Sequence, residues 1–342
     1  MCVEEPEQPP GGHQPALTPD SDQSDADSAF GGPIEGSWSA SLASSVLNYK
    51  YENGRRYHAY REGQYILPND EDEQARLDML HHIYKMIIGG ALYRAPLLQP
   101  QRVLDLGCGT GIYCIEFGDD HPESIVIGVD LSPIQPEFVP PNVKFYVDDI
   151  ESEWAYPRSE HFDFIHGRAL CGSIADWPNL FKQALENLKP GGWMEMQEYQ
   201  CHVWSDDGTV DEAIYLKDWV EQMNEASKRF GKELKTADAL KRTMQDVGFV
   251  DVHEEIYKVP IGPWAKDKKL KELGTFYRAQ FIDAVEPFTL ALFTRVLGYS
   301  NDEAMIHIAR VKKDLVNPRL HMYVHFHFVW GRKASEQPAS EG

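Results

Sequence analysis

The chain has 342 residues, 42% of them hydrophobic, with 54 acidic against 33 basic side chains and a formal net charge of -21 at pH 7. That is enough for a full α/β core, while the acidic balance argues against direct nucleic-acid binding, which draws on clustered Lys and Arg, and no apolar run reaches bilayer-spanning length. The five cysteines are odd in number, show no metal-ligand spacing and follow no signal-peptide pattern, so a reduced intracellular compartment without disulfides is expected, the cytoplasm first and the nucleus as the alternative.

The charge is unevenly spread. Glu4, Glu5, Glu7, Asp20, Asp22, Asp25, Asp27 and Glu35 precede the first basic residue, Lys50, and leave -13 for the rest. Residues 1–45, rich in Pro, Ser, Asp and Gly, read as a disordered acidic tail, solvated or offered to a protein partner. Residues 46–100 read as a lid and a helix: Asn69 or Asp70 supplies a cap, and Leu77, Leu80, Ile83, Tyr84, Ile87 and Ile88 repeat at helical spacing up to Gly89-Gly90, which predicts an amphipathic helix over 71–88. His81 and His82 on it are expected to be ordinary surface or boundary residues.

From 101 to 333 strand-like and helical runs alternate. The strands are expected at 102–107, 125–130, 143–149, 161–167 and 191–199, with helices at 111–122 and 179–192 and a charged helical stretch over 209–247. Such alternation predicts an α/β fold with a parallel sheet covered on both faces. Two late strands, 248–260 and 320–333, are expected as an antiparallel pair closing one edge. Residues 334–342 read as a disordered C-terminus.

The run "RVLDLGCGTG" leads a strand into a turn with Gly107, Gly109 and Gly111 and then into a helix, which brings bare backbone amides against a ligand at the strand's carboxyl end. The spacing is not the G-x-G-x-x-G of a pyrophosphate loop, which argues against a nicotinamide oxidoreductase. Asp105, just before the first glycine, suits an ammonium group better than a phosphate. Asp130 ends the next strand at the separation from which a carboxylate reaches ribose hydroxyls, and Asp148-Asp149 ends the one after. A ribose, an ammonium and no phosphate describe S-adenosylmethionine.

Beyond the residues themselves, "RRYHAYREGQYILPNDEDEQARLD", "VLDLGCGTG", "VDLSPIQPEFVPPNVKF", "DDIESEW", "FDFIHGR", "LKPGGWMEMQE" and "TRVLGYS" resemble, in order, the class I S-adenosylmethionine-dependent methyltransferases, and within them the LaeA-like methyltransferases of filamentous fungi. The resemblance spans about residues 48–333 and leaves out the acidic tail. It implies a Rossmann-like, seven-stranded sheet, mostly parallel with an antiparallel C-terminal edge, plus an N-terminal helical lid. It also implies that Asp105, Gly107, Gly109 and Gly111 frame the methionine part of the cofactor, that Asp130 holds the ribose, and that Asp149 with Ile150 faces the adenine. Tyr57, Tyr60 and Tyr65 are the lid residues it places over the cofactor, Tyr65 foremost. Two functions follow: methylation of a small-molecule intermediate of secondary metabolism, or regulation of that metabolism within a nuclear complex.

Methyl transfer asks for positioning and dehydration first and a base second. His166 in "FIHGR", at the end of the fourth strand, is the candidate for that base, and Arg168 a candidate for holding an acidic substrate. Trp264, Phe276, Tyr277, Phe281, Phe288 and Phe293 are candidates to roof an apolar acceptor pocket. His321, Tyr323, His325 and His327 alternate on one strand face, but no acidic or cysteine ligand is near in sequence and no metal site is expected.

Overall fold

A computed structural model describes residues 49–335 apart from Glu62. The acidic tail at 1–45 and the C-terminal stretch from 336 lie outside the described residues.

Strands β1 (Lys50–Glu52) and β2 (Arg55–Tyr57) form an antiparallel hairpin. Its turn is Asn53-Gly54, both at positive φ, and this dipeptide is a strong hairpin signal that our reading of the lid did not use. Helix α1 (Glu71–Ile87) starts where Asp70 accepts the amide of Glu73, with three acids in its first turn. Then follow β3 (Arg102–Leu106), α2 (Ile112–Asp120), β4 (Ile125–Asp130), β5 (Val143–Val147) and β6 (Phe162–Arg168).

Helix α3 (Trp177–Asn187) stops five residues short of the expected end, because β7 (Leu188–Tyr199) already begins there. Lys189 precedes Pro190, which disfavours helical backbone, and Gly191 and Gly192 exchange hydrogen bonds with Lys333 across the sheet. The charged stretch divides into α4 (Ile214–Phe230) and α5 (Leu240–Val247), each closed by a left-handed glycine, Gly231 and Gly248. After β8 (Val250–Pro260) come α6 (Lys268–Thr289), a π-helical stretch over Leu290–Leu297, α7 (Asn301–Leu315) with a Ser300/Glu303 capping box, and β9 (Tyr323–Arg332).

The seven strands order as β5-β4-β3-β6-β7-β9-β8. Pairing is parallel from β5 through β7, and β9 runs antiparallel between β7 and β8, the closing edge the sequence predicts. Alternation sorts the side chains. Val103, Val126 and Phe164 pack under α1 and α2, whereas Leu104, Leu106, Ile127, Ile165, Met194 and Met196 pack under α3 and α5. The register sets Asp105 beside His166, and His166 beside Glu195, on the α2 face. No helix among the described residues is long and apolar enough to cross a membrane.

Candidate active site

The glycine turn leaves β3 at the carboxyl end of the parallel strands. Gly107, Gly109 and Gly111 all take positive φ, at 62°, 54° and 79°, a conformation side chains disfavour. The amide of Gly109 donates to Asp130 Oδ2 at 2.8 Å, and Ser132 N donates to Asp130 Oδ1 at 2.8 Å. The strand-end acid is therefore fixed to the turn itself. Burial pushes its carboxyl up to about 6, against the pull of those two amides. Gly111 instead caps α2, where a side chain would run into the ring of Phe145.

Beneath the turn, His166 Nδ1 donates to Asp105 Oδ1 at 2.7 Å, and the Cys114 thiol donates to Asp105 Oδ2 at 3.3 Å. The His166 ring is wholly buried and stacks on Tyr113, centroids 3.7 Å apart and planes within 3°. Its Nε2 is buried and makes no hydrogen bond of good geometry, with the Gln197 side chain as its polar neighbour. Burial holds its pKa below that of an ordinary histidine although Asp105 pulls the other way.

Arg168 reaches the same place from the end of β6. Its Nη2 donates to His81 Nδ1 at 2.7 Å, so His81 carries its proton on Nε2 and donates to Glu116 at 3.0 Å. Burial, then Arg168, lowers the His81 pKa to about 4, keeping the ring neutral. His81 is thus a buried partner of the site, which corrects its expected place as an ordinary surface or boundary residue; His82 is exposed. The guanidinium of Arg168 lies over Tyr84 and Tyr113, 4.9 and 5.3 Å from their centroids. No described carboxylate forms an ion pair with it.

These groups line one cleft in two lobes that share Leu77, Gly107, Gly109, Arg168 and Ala169. Asp105, Tyr113, His81 and His166 line the first, and Tyr65, Asp130, Asp149, Ile150 and Lys232 the second. Asp149 is tied to the lid, since its Oδ2 stands 3.5 Å from Arg61 Nε, and Asn69 Nδ2 donates to Ser132 Oγ at 3.3 Å. Of the lid tyrosines only Tyr65 lines the cleft; Tyr57 is buried under Arg295 and Tyr60 lies against Arg61.

The other sequence candidates separate from the cleft. Tyr277, Phe281 and Phe288 line a second cavity, while Trp264 donates to the Met322 carbonyl, Phe276 meets His82 and Phe293 stacks on Tyr299. Just before β9, His321 bonds Asp207; on the strand, His327 bonds Glu254 and His325 lies against Trp204. Among the described residues no group of three or more potential ligands is placed to hold a metal ion.

Residues 79–254 match a family described as a methyltransferase domain. The chain belongs to that family. This methyltransferase is 40% identical over 295 residues to "Methyltransferase pytC" of Aspergillus terreus, covering 86% of this chain and 90% of that one. It is 35% identical over 297 residues to "Secondary metabolism regulator laeA" of Aspergillus flavus, covering 86% and 80%. It is also 35% identical over 286 residues to "Protein-methionine methyltransferase laeA" of Emericella nidulans, covering 82% and 76%. The LaeA-like resemblance read from the sequence is borne out.

Sequence reasoning missed His81, Tyr113 and Lys232 as lining residues of the methyltransferase cleft. His81 was assigned by its helix alone, and only the packing of α1 over α2 and β6 shows which way it faces. Lys232 follows α4 and arrives by a long-range contact with Glu151 at 2.7 Å. Neither spacing carries a local signal.

Proposed function

We propose that this methyltransferase transfers the methyl group of S-adenosylmethionine to a small-molecule intermediate of fungal secondary metabolism. The observation that carries the reading is the cleft's charge arrangement: three strand-end acids around a bare glycine turn, with an unpaired guanidinium beside them. A phosphate would meet Asp105 and Asp130 at close range. An ammonium and two ribose hydroxyls suit them.

When bound, S-adenosylmethionine supplies an electrophilic methyl group on a sulfonium. Asp105 would take the ammonium and Arg168 the carboxylate of its amino-acid end, Asp130 the ribose, and Asp149 with Ile150 the adenine, under Tyr65. Arg168, which has no described carboxylate partner, supports this fit, as does Gly109, where the nearest atom to an added Cβ is Leu77 Cδ1 at 3.6 Å and the space beyond is cleft. The main work of these residues is to fix the donor and exclude water. We assign His166 a positioning role toward Asp105, because the ring is fully enclosed; the general-base role read from the sequence is its rival in the tests below.

The second reading is a regulator of secondary metabolism acting in the nucleus, favoured by the 35% identity to the laeA proteins. Incubation with methyl-labelled S-adenosylmethionine and an extract of the producing organism separates the two. Label in a small organic product supports the biosynthetic reading, label recovered only on protein supports the regulatory one, and no transfer to either contradicts the biosynthetic reading.

A further inference from the structure

On the far side of Leu80, which lines both, a second cavity adjoins the charged cleft at the carboxyl end of β7. It is roofed by α4 and α6. Trp219, Met223, Phe281 and Phe288 give it apolar walls. Besides His202 and the already bonded Gln200 and Trp219, four groups capable of hydrogen bonding line it: Tyr199, Cys201, Tyr277 and Gln280. Tyr277 and Gln280 are 4% and 5% exposed. None of the four side chains makes a hydrogen bond with a described residue, although buried polar groups are as a rule paired. The Tyr277 hydroxyl and the Gln280 amide keep some accessible surface, so water or a ligand oxygen can meet them there.

No Asp, Glu, Lys or Arg lines this cavity. His202 does, but burial lowers its pKa and leaves it neutral. Arg76, 6.0 Å from the Phe288 centroid, is already held by Glu73 through two bonds of 2.6 and 2.9 Å. Lys235 acts on Cys201 and His202 from outside the lining, but a charged molecule would enter without a counterion in contact with it, which is unfavourable. A flat ring would meet Trp219, Phe281 and Phe288.

We propose that this cavity is the acceptor site and that it takes an uncharged, flat, largely apolar molecule bearing hydroxyl or carbonyl oxygens, the chemistry of a neutral phenol or enol. The proposal rests on the methyltransferase reading above, and names the acceptor class within it.

The probe is 1-naphthol, with 1-naphthoate as its charged counterpart, titrated calorimetrically into the full chain at neutral pH. Naphthol should bind at least about tenfold more tightly than naphthoate. Gln280→Leu, which keeps most of the volume, should weaken naphthol by about tenfold, and Ala284→Trp, which fills the cavity from α6, should abolish its binding. S-adenosylmethionine affinity should stay within about twofold in Gln280→Leu, which also reports that the fold is intact. Naphthoate binding as tightly as naphthol, or naphthol binding unchanged in Gln280→Leu, would overturn the acceptor class. Failure of the unsubstituted protein to bind S-adenosylmethionine would instead overturn the parent reading.

Discussion

The two hollows on either side of Leu80 are built from different parts of the chain and have opposite chemistry. The cleft is made of strand ends and the turn after β3, and it concentrates Asp105, Asp130, Asp149, Arg168 and Lys232. The neighbouring cavity is made mainly of helix faces and carries no side chain with a full charge. A parallel sheet presents all its carboxyl ends along one edge, so acids placed after each strand converge without long-range design. Helices crossing that edge supply bulk and exclude water. The division suggests how one protein holds a charged donor beside a neutral acceptor: each region discriminates against the other's ligand.

The sharpest way to break that comparison is Asp105→Asn. It should reduce S-adenosylmethionine affinity by about 2–5 kcal/mol, the range for removing one partner of a desolvated charge pair, and leave 1-naphthol binding unchanged in the same calorimetric series. Equal losses for both ligands would show that the regions are one site. Arg168→Leu comes next, with an expected loss of about 1.5–3 kcal/mol in cofactor affinity. Arg168→Lys should recover only part of it, because a point charge does not replace a planar fork.

His166→Ala sharpens the account of Asp105. As a positioning residue it should weaken cofactor binding by about tenfold, roughly the worth of one charge-assisted hydrogen bond, and leave the shape of the pH-rate profile intact. Normal affinity with a lost low-pH limb would make His166 the base instead.

The smallest expected effect is one of pH. Burial raises the Asp130 carboxyl to about 6; it is ionised above that value and protonated below it, and the ionised form is the better acceptor for ribose hydroxyls. Cofactor affinity should therefore fall as pH drops through 6, by up to about tenfold between pH 7 and 5. Asp130→Asn should flatten that dependence, and a flat profile in the unsubstituted protein would detach Asp130 from the ligand.

The contrast also explains what was legible in the chain. Asp105, Gly107, Gly109 and Asp130 lie at fixed distances after strands whose hydrophobic runs are plain, so sheet, turn and acids could be read together. The boundary between α3 and β7 was misplaced: the helix was expected to run to 192 and the strand to begin at 191, whereas Leu188–Pro190 already belong to the strand. Leu188 pairs with Phe162, and Gly191 and Gly192 bond Lys333, some 140 residues on, contacts that no local spacing announces. Tyr277 and Phe281 were flagged by composition, but Gln280 between them was not, since nothing local distinguishes a glutamine facing solvent from one facing a cavity.

The central claim is that the glycine turn and its acids form a site for S-adenosylmethionine rather than for a dinucleotide. Calorimetric titration of the full chain with S-adenosylmethionine and with NAD tests it most directly. Saturable binding of S-adenosylmethionine, abolished in Asp105→Asn, with no detectable heat from NAD, is the predicted result. Binding of NAD without binding of S-adenosylmethionine would contradict it.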